Sequence, residues 1–146
     1  VDLCVGLLPC NLELQGAGAA LRVGAHGRIS CDSKDRCGYV QVHGTQMACD
    51  EELTQPMLSA SGTTLVVANS SVAGCNSRAD GAFVYADKGT ALSLSRSTFS
   101  DMRSEAAGSV LYVLDAVLAI EQSSFTRCHA AGFGGAIVSS SPDLQI

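Results

Sequence analysis

The chain contains no tryptophan, three prolines and only nine lysines and arginines among 146 residues. Each shortage excludes something. Nine basic residues against fourteen acidic ones leave a net charge of −5, without the clustered Lys and Arg that a phosphate backbone requires, so nucleic acid is not an expected partner. No apolar run reaches membrane-spanning length, because Asp115 interrupts the longest candidate, around Val110 to Ile120. No segment of ten or more residues carries i, i+3, i+4 apolar spacing, which argues against helical and leucine-rich repeats. The chain begins on Val1 with no initiator Met and no charged-then-apolar leader, as expected of a mature product or an internal piece.

What is present is cysteine, glycine and a repeat. Seven cysteines in a chain with 16% charged residues point to an oxidising compartment, extracellular or at the cell surface, with buried free thiols as the alternative. The sequon Asn69-Ser70-Ser71 makes Asn69 a candidate glycosylation site in that setting. A hydrophobic content of 47% is ample for the core of one domain at this length.

The repeat decides the fold. Leu65, Leu92 and Leu118 are spaced 27 and 26 apart, and Val67, Leu94 and Ile120 follow at the same spacings. So do Ser70/Ser97/Ser123, Val72/Phe99/Phe125, Cys75/Met102/Cys128 and Gly81/Gly108/Gly134. Each copy opens with strand-like alternation, as in Leu92-Ser-Leu94-Ser. A fixed period of this size with short strands predicts an all-β solenoid, a right-handed parallel β-helix of 26–27 residues per coil and five or six coils. Like residues then stack up the axis, apolar ones inward, serines at a first corner where hydroxyls satisfy turn amides, glycines at a second where φ is positive or backbone approaches closely. Residues 1–37 are read as opening coils and 38–146 as regular ones. Leu144 and Ile146 begin a further coil, so the solenoid is expected to continue past the C-terminus.

The FGGAI of Phe133 to Ile137, preceded by FTRC at Phe125 to Cys128, resembles the repeats of chlamydial polymorphic outer membrane proteins and related β-helix modules of large eukaryotic surface proteins. The likeness spans Thr63 to Ile146. The family's Asn position is Cys75, Met102 and Cys128 here, and the other copies read GAFV and GSVL, so an apolar ladder replaces a polar one. The resemblance implies a right-handed β-helix serving as a surface or adhesion module.

Spacing also suggests crosslinks. Cys4 and Cys10 could close a small loop, and Cys31 and Cys37 bracket a charged surface loop. A metal reading of that loop, through Asp32 and Asp35, lacks the second cysteine pair that zinc requires. Cys49 lies 26 before Cys75, one coil apart and within disulfide reach. Cys128 is two coils from Cys75, roughly 9.6 Å at the parallel strand spacing, and is left over.

Gln15-Gly-Ala-Gly18 opens no helix and carries no Lys-Ser/Thr pair, so it is read as a turn after the Asn11–Leu14 strand, not a phosphate loop. Leu21, Val23 and Ile29 are assigned to the next coil. Val40, Val42, Met47 and Leu58 are assigned to another, about 25 before Leu65, Val67, Val72 and Phe83. Asp50-Glu-Glu52 is read as a solvated turn.

Acidic residues scatter rather than gather. The best catalytic grouping is Asp101, Arg103 and Glu105 on one face with His129 a coil above Arg103, and it reads more simply as a charged turn opposed by Arg78 and Arg127. His26 and His43 have no evident partner. Cys128 and His129 point to opposite faces of a strand and cannot form a nucleophile–base pair. The expected role is therefore a non-catalytic extracellular structural or adhesion module, needing no cofactor or metal. The alternative is a carbohydrate-active enzyme of lyase or hydrolase type, or a glycan-binding module.

After the glycine corner, every copy is apolar at both strand parities. Val84/Leu111/Ile137 are assigned inward. Phe83, Tyr85, Val110 and Tyr112 are then an outer apolar stripe, predicted to bind another subunit or another part of the parent protein. The alternative is that other segments of this chain fold over it.

Overall fold

In the computed structural model, residues 10–23, 29–32, 37–140 and 144–145 are described, with side chains from Tyr39 to Ser140. The proposed Cys4–Cys10 and Cys31–Cys37 pairings, the Asp32/Asp35 loop and His26 lie outside the described side chains. Seventeen strands follow one another with no helix among the described residues.

β1 (Cys10–Val23), β2 (Ile29–Asp32), β3 (Cys37–Cys49) and β4 (Leu58–Ser61) come first. β5 (Thr64–Ala68), β6 (Ser71–Ala73), β7 (Asn76–Ser77) and β8 (Val84–Asp87) form the next turn. β9 (Ala91–Ser95), β10 (Thr98–Ser100), β11 (Arg103–Ser104) and β12 (Leu111–Val113) repeat it. β13 (Val117–Glu121), β14 (Ser124–Thr126), β15 (His129–Ala130) and β16 (Ile137–Ser139) repeat it again, and β17 (Leu144–Gln145) starts another. All pairings are parallel, in three sheets. One runs β14-β10-β6-β3-β5-β9-β13-β17 with β1 on β3, one β15-β11-β7, and one β16-β12-β8-β4-β2. The chain is a parallel β-solenoid of about four turns.

That count is below the expected five or six, and the reason lies in β1. Leu12 and Leu14 pair with Val40 and Val42, and Leu21 and Val23 with Met47 and Cys49, all along the single strand β3. What reads as two coils is one. The register shifts between Gln15 and Ala19, so the Gly-rich stretch is an irregularity inside β1 and not the turn that ends it.

The predicted ladders hold from β5 onward. Leu65, Leu92 and Leu118 are in register, as are Val67, Leu94 and Ile120, and all six are buried. Val40, Val42 and Met47 precede Leu65, Val67 and Val72, whereas Leu58 pairs with Val84 and not Phe83. Each buried apolar side chain contributes on the order of 1.5–3 kcal/mol. Phe99 stacks on Phe125 at 5.0 Å and meets Phe83 at 5.3 Å.

Phe83 is therefore core, and so is Val110; both are fully buried, contrary to the outward assignment. Period-2 alternation applies only inside a strand, and these residues precede β8 and β12. The amides of Phe83 and Val84 both donate to the Val110 carbonyl, at 3.1 and 3.0 Å. Those of Val110 and Leu111 both donate to Ala136, at 2.9 and 3.1 Å. Two residues oppose one, as in a bulge, and both side chains turn inward. Val84 and Leu111 are buried as assigned.

The glycine corner needs glycine on two counts. Gly81 and Gly108 have φ of 69° and 60°, and a Cβ on either would lie 2.3 Å from a carbonyl oxygen, of Val84 or Leu111.

Candidate functional site

Three outward-facing regions carry side chains capable of recognition. The first is the outer face of the sheet containing β8 and β12. With Phe83 and Val110 withdrawn into the core, Tyr85 and Tyr112 remain, in register with Ser59 before them and Val138 after. Their rings stack at 5.7 Å and 11°. Both are half-buried, as are Leu114 and Val138 beside them. Burial raises the Tyr85 phenol above its ordinary pKa, and the nearby Asp87 carboxylate adds to this. Leu114 escaped sequence reasoning because it lies just past the strand that fixes its parity.

The second region is the charged corner. Arg127 donates twice to Asp101, Nε at 2.6 Å and Nη2 at 2.9 Å, as their spacing of one coil predicts. These hydrogen bonds hold the Asp101 carboxyl below its ordinary pKa. Arg78 bonds to Glu52, one turn back, instead of Glu105. Arg103 and His129 are register partners. With Glu52 and Glu105 they line a concave region of about 240 Å³. Asp101 is not on it. Its carboxylate is bound by Arg127, and Arg103 also acts on it electrostatically. Among the described residues no group of three or more His, Cys, Asp or Glu could hold a metal ion.

The third region runs along the first corner and was not anticipated as a site. Its base is the hydroxyl ladder. The amides of Thr45, Ser70 and Ser97 donate to the hydroxyls of Ser70, Ser97 and Ser123 on the following turn, at 3.3, 3.2 and 3.2 Å. The corner amides are thus satisfied between turns, and not locally as expected; the local bonds run from the hydroxyls to the carbonyls two residues back. Beside this ladder stand His43, Asn69 and Arg96. Arg96 Nε donates to Asn69 Oδ1 at 3.0 Å, and Asn69 Nδ2 lies 3.2 Å from His43 Nε2. His43 therefore has a partner after all. With Oδ1 accepting from Arg96, the Asn69 amide nitrogen is the group that faces His43 Nε2. Asn69, Arg96 and Gln122 all take positive φ, 49°, 45° and 49°. His43, Asn69 and Arg96 flank a groove of about 630 Å³. Asn69, the sequon residue, sits on its exposed rim.

The three cysteines whose side chains are described fall on one ladder. Cys49 and Cys75 are joined, with Cα atoms 5.1 Å apart, and Cys128 is free and half-buried. Burial raises the Cys128 thiol above its ordinary pKa.

No protein-family model, curated protein or solved structure matches the chain.

Proposed function

We propose that this chain is a non-catalytic structural or adhesion module, a stretch of extracellular β-solenoid that packs against another protein through its Tyr85–Tyr112 face. The observation that carries this reading is the stacked tyrosine pair on an outer sheet face, flanked by Leu114 and Val138. Tyrosine is favoured at interfaces because its ring supplies apolar area while its hydroxyl tolerates water. The partner is a further subunit or another part of the parent protein. The FGGAI and FTRC segments support it through their resemblance to chlamydial surface-protein repeats, and the Cys49–Cys75 bond fits an oxidising setting.

The reading is tested by changing Tyr85 and Tyr112 together to Lys and comparing sedimentation and circular dichroism with the wild type. The wild type is expected to associate in a concentration-dependent way, and the double variant to stay monomeric with an unchanged spectrum. Identical sedimentation of the two would overturn the reading. Unfolding of the variant would place the tyrosines in the core.

A second reading, a carbohydrate-active enzyme, is favoured by Arg103, Glu105 and His129 sharing one concavity with Glu52. Turnover of an acidic polysaccharide, lost on Glu105→Gln, would support it.

A further inference from the structure

The first-corner groove is built differently from the rest of the surface. One wall is His43, Asn69 and Arg96, the other Gln46, Ser71 and Thr98, and Gly44, Thr45 and Ser70 form the floor. The amides and hydroxyls of Thr45 and Ser70 are consumed at the corner. The hydroxyls of Ser71 and Thr98 and the Gln46 amide have no hydrogen-bond partner among the described residues. Hydroxyl and amide groups thus recur along the groove once per turn, about 4.8 Å apart.

Its charge is equally distinctive. Three exposed arginines occupy or adjoin corners of successive turns: Arg78, Arg96 and Arg127. Arg78 and Arg127 are each neutralised by a carboxylate of the preceding turn, Glu52 and Asp101. Arg96 meets the Asn69 amide instead. No carboxylate lines the groove, and the terminal nitrogens of Arg96 have no partner among the described residues. A planar guanidinium held at Nε presents its remaining N–H groups as a fork that matches a carboxylate or sulfate. Asn69, fixed between His43 and Arg96, orients that fork in advance, which reduces the ordering cost of binding.

We propose that this groove binds an acidic oligosaccharide, with Arg96 taking the carboxylate or sulfate and Gln46, Ser71 and Thr98 the sugar hydroxyls. The lining has no aromatic platform and one permanent cation, which disfavours single-stranded nucleic acid. It has no apolar pocket to anchor peptide side chains.

Protein made with the disulfide formed but without glycosylation is titrated calorimetrically at low salt, so that no sugar on Asn69 can fill the groove. The probes are an oligogalacturonate hexamer, a heparin hexasaccharide, neutral maltohexaose and hexaglutamate. The first two distinguish carboxylate from sulfate as the recognised group. At least one acidic sugar is expected to bind, and maltohexaose and hexaglutamate not. Arg96→Gln is expected to weaken that binding by at least about tenfold, equivalent to about 1.4 kcal/mol. Thr98→Glu, which adds a carboxylate to the opposite wall and leaves the Arg96–Asn69 bond in place, is expected to abolish it. Absence of binding by either acidic sugar, equal binding of maltohexaose or hexaglutamate, or undiminished binding by a folded Thr98→Glu protein would overturn the proposal.

Discussion

The backbone amide of Ser70 donates to the hydroxyl of Ser97 one turn later, at 3.2 Å, and the Ser97 hydroxyl donates in turn to the carbonyl of Ser95 at 2.9 Å. Where the chain swings through positive φ at Asn69 and Arg96, the amide is served by a side chain of the next turn. Ser97 is 1% exposed, so water cannot replace it. Ser97→Ala leaves the Ser70 amide buried and unpaired, and is expected to cost about 1–3 kcal/mol. Ser97→Thr, which keeps the hydroxyl, should cost less, as Thr45 in the same ladder indicates. Urea unfolding midpoints for the two variants check this, and equal midpoints would count against the ladder.

The Cys49–Cys75 bond closes a loop of one turn, with a sequence separation of 26. Restricting the unfolded chain over such a loop contributes roughly 3 to 4 kcal/mol in the loop-entropy treatment. Replacing both cysteines by Ala should lower stability by about that amount, less whatever the small side chains recover in packing. The comparison is denaturant unfolding of the oxidised protein and the double variant. A difference below about 1 kcal/mol would place the bond outside the range typical of native disulfides.

The fold was legible from Leu65 onward because matching residues recur there at 26–27, and ladders of like residues are what a parallel stack rewards. The disulfide was legible for the same reason. Two features were not. Phe83 and Val110 look outward under strict alternation, but shared acceptors at Val110 and Ala136 suspend alternation at that corner. Gly16, Ala17 and Gly18 look like the end of a strand, yet β1 runs through them in a shifted register. The groove was hidden for a chemical reason. Asn69 and Arg96 occupy one station of successive turns, while His43 lies one residue before Gly44, which holds that station in the turn before; the three share no residue type, so their contact appears only when the turns are stacked.

Cys128 occupies the ladder position of Cys75 and Met102 but is only half-buried. Burial is the main influence on its thiol and raises the pKa, with hydrogen bonds acting in the opposite direction. A raised thiol pKa means that the folded state favours the neutral form. Its contribution to stability is therefore complete below the ordinary thiol pKa and lost as pH rises through the folded value. The same shift lowers the thiolate fraction at neutral pH. Native protein should thus react with iodoacetamide at pH 8 more slowly than the same protein unfolded in urea. Equal rates would mean that the thiol is solvated.

Two glycines of positive φ provide a controlled comparison of conformation with space. Gly89 has φ of 82°, and a Cβ there would meet nothing within 4 Å. Gly108 has φ of 60°, and a Cβ there would lie 2.3 Å from the Leu111 carbonyl oxygen and 3.3 Å from the Val138 amide nitrogen. Gly89→Ala therefore carries only the left-handed backbone cost, about 1–2 kcal/mol. Gly108→Ala carries that cost and a backbone overlap that no rotamer can relieve. The overlap lies where the Gly108 amide donates to Phe133 and the Gly81 amide donates to Gly108, so displacing the chain there loosens contacts with both neighbouring turns. Gly89→Ala is expected to fold with a modestly lower midpoint, and Gly108→Ala to lose cooperative unfolding or fail to fold. The check is thermal unfolding followed by circular dichroism. If the two variants melted within a degree of each other, the close approach at the second corner would not constrain the coil.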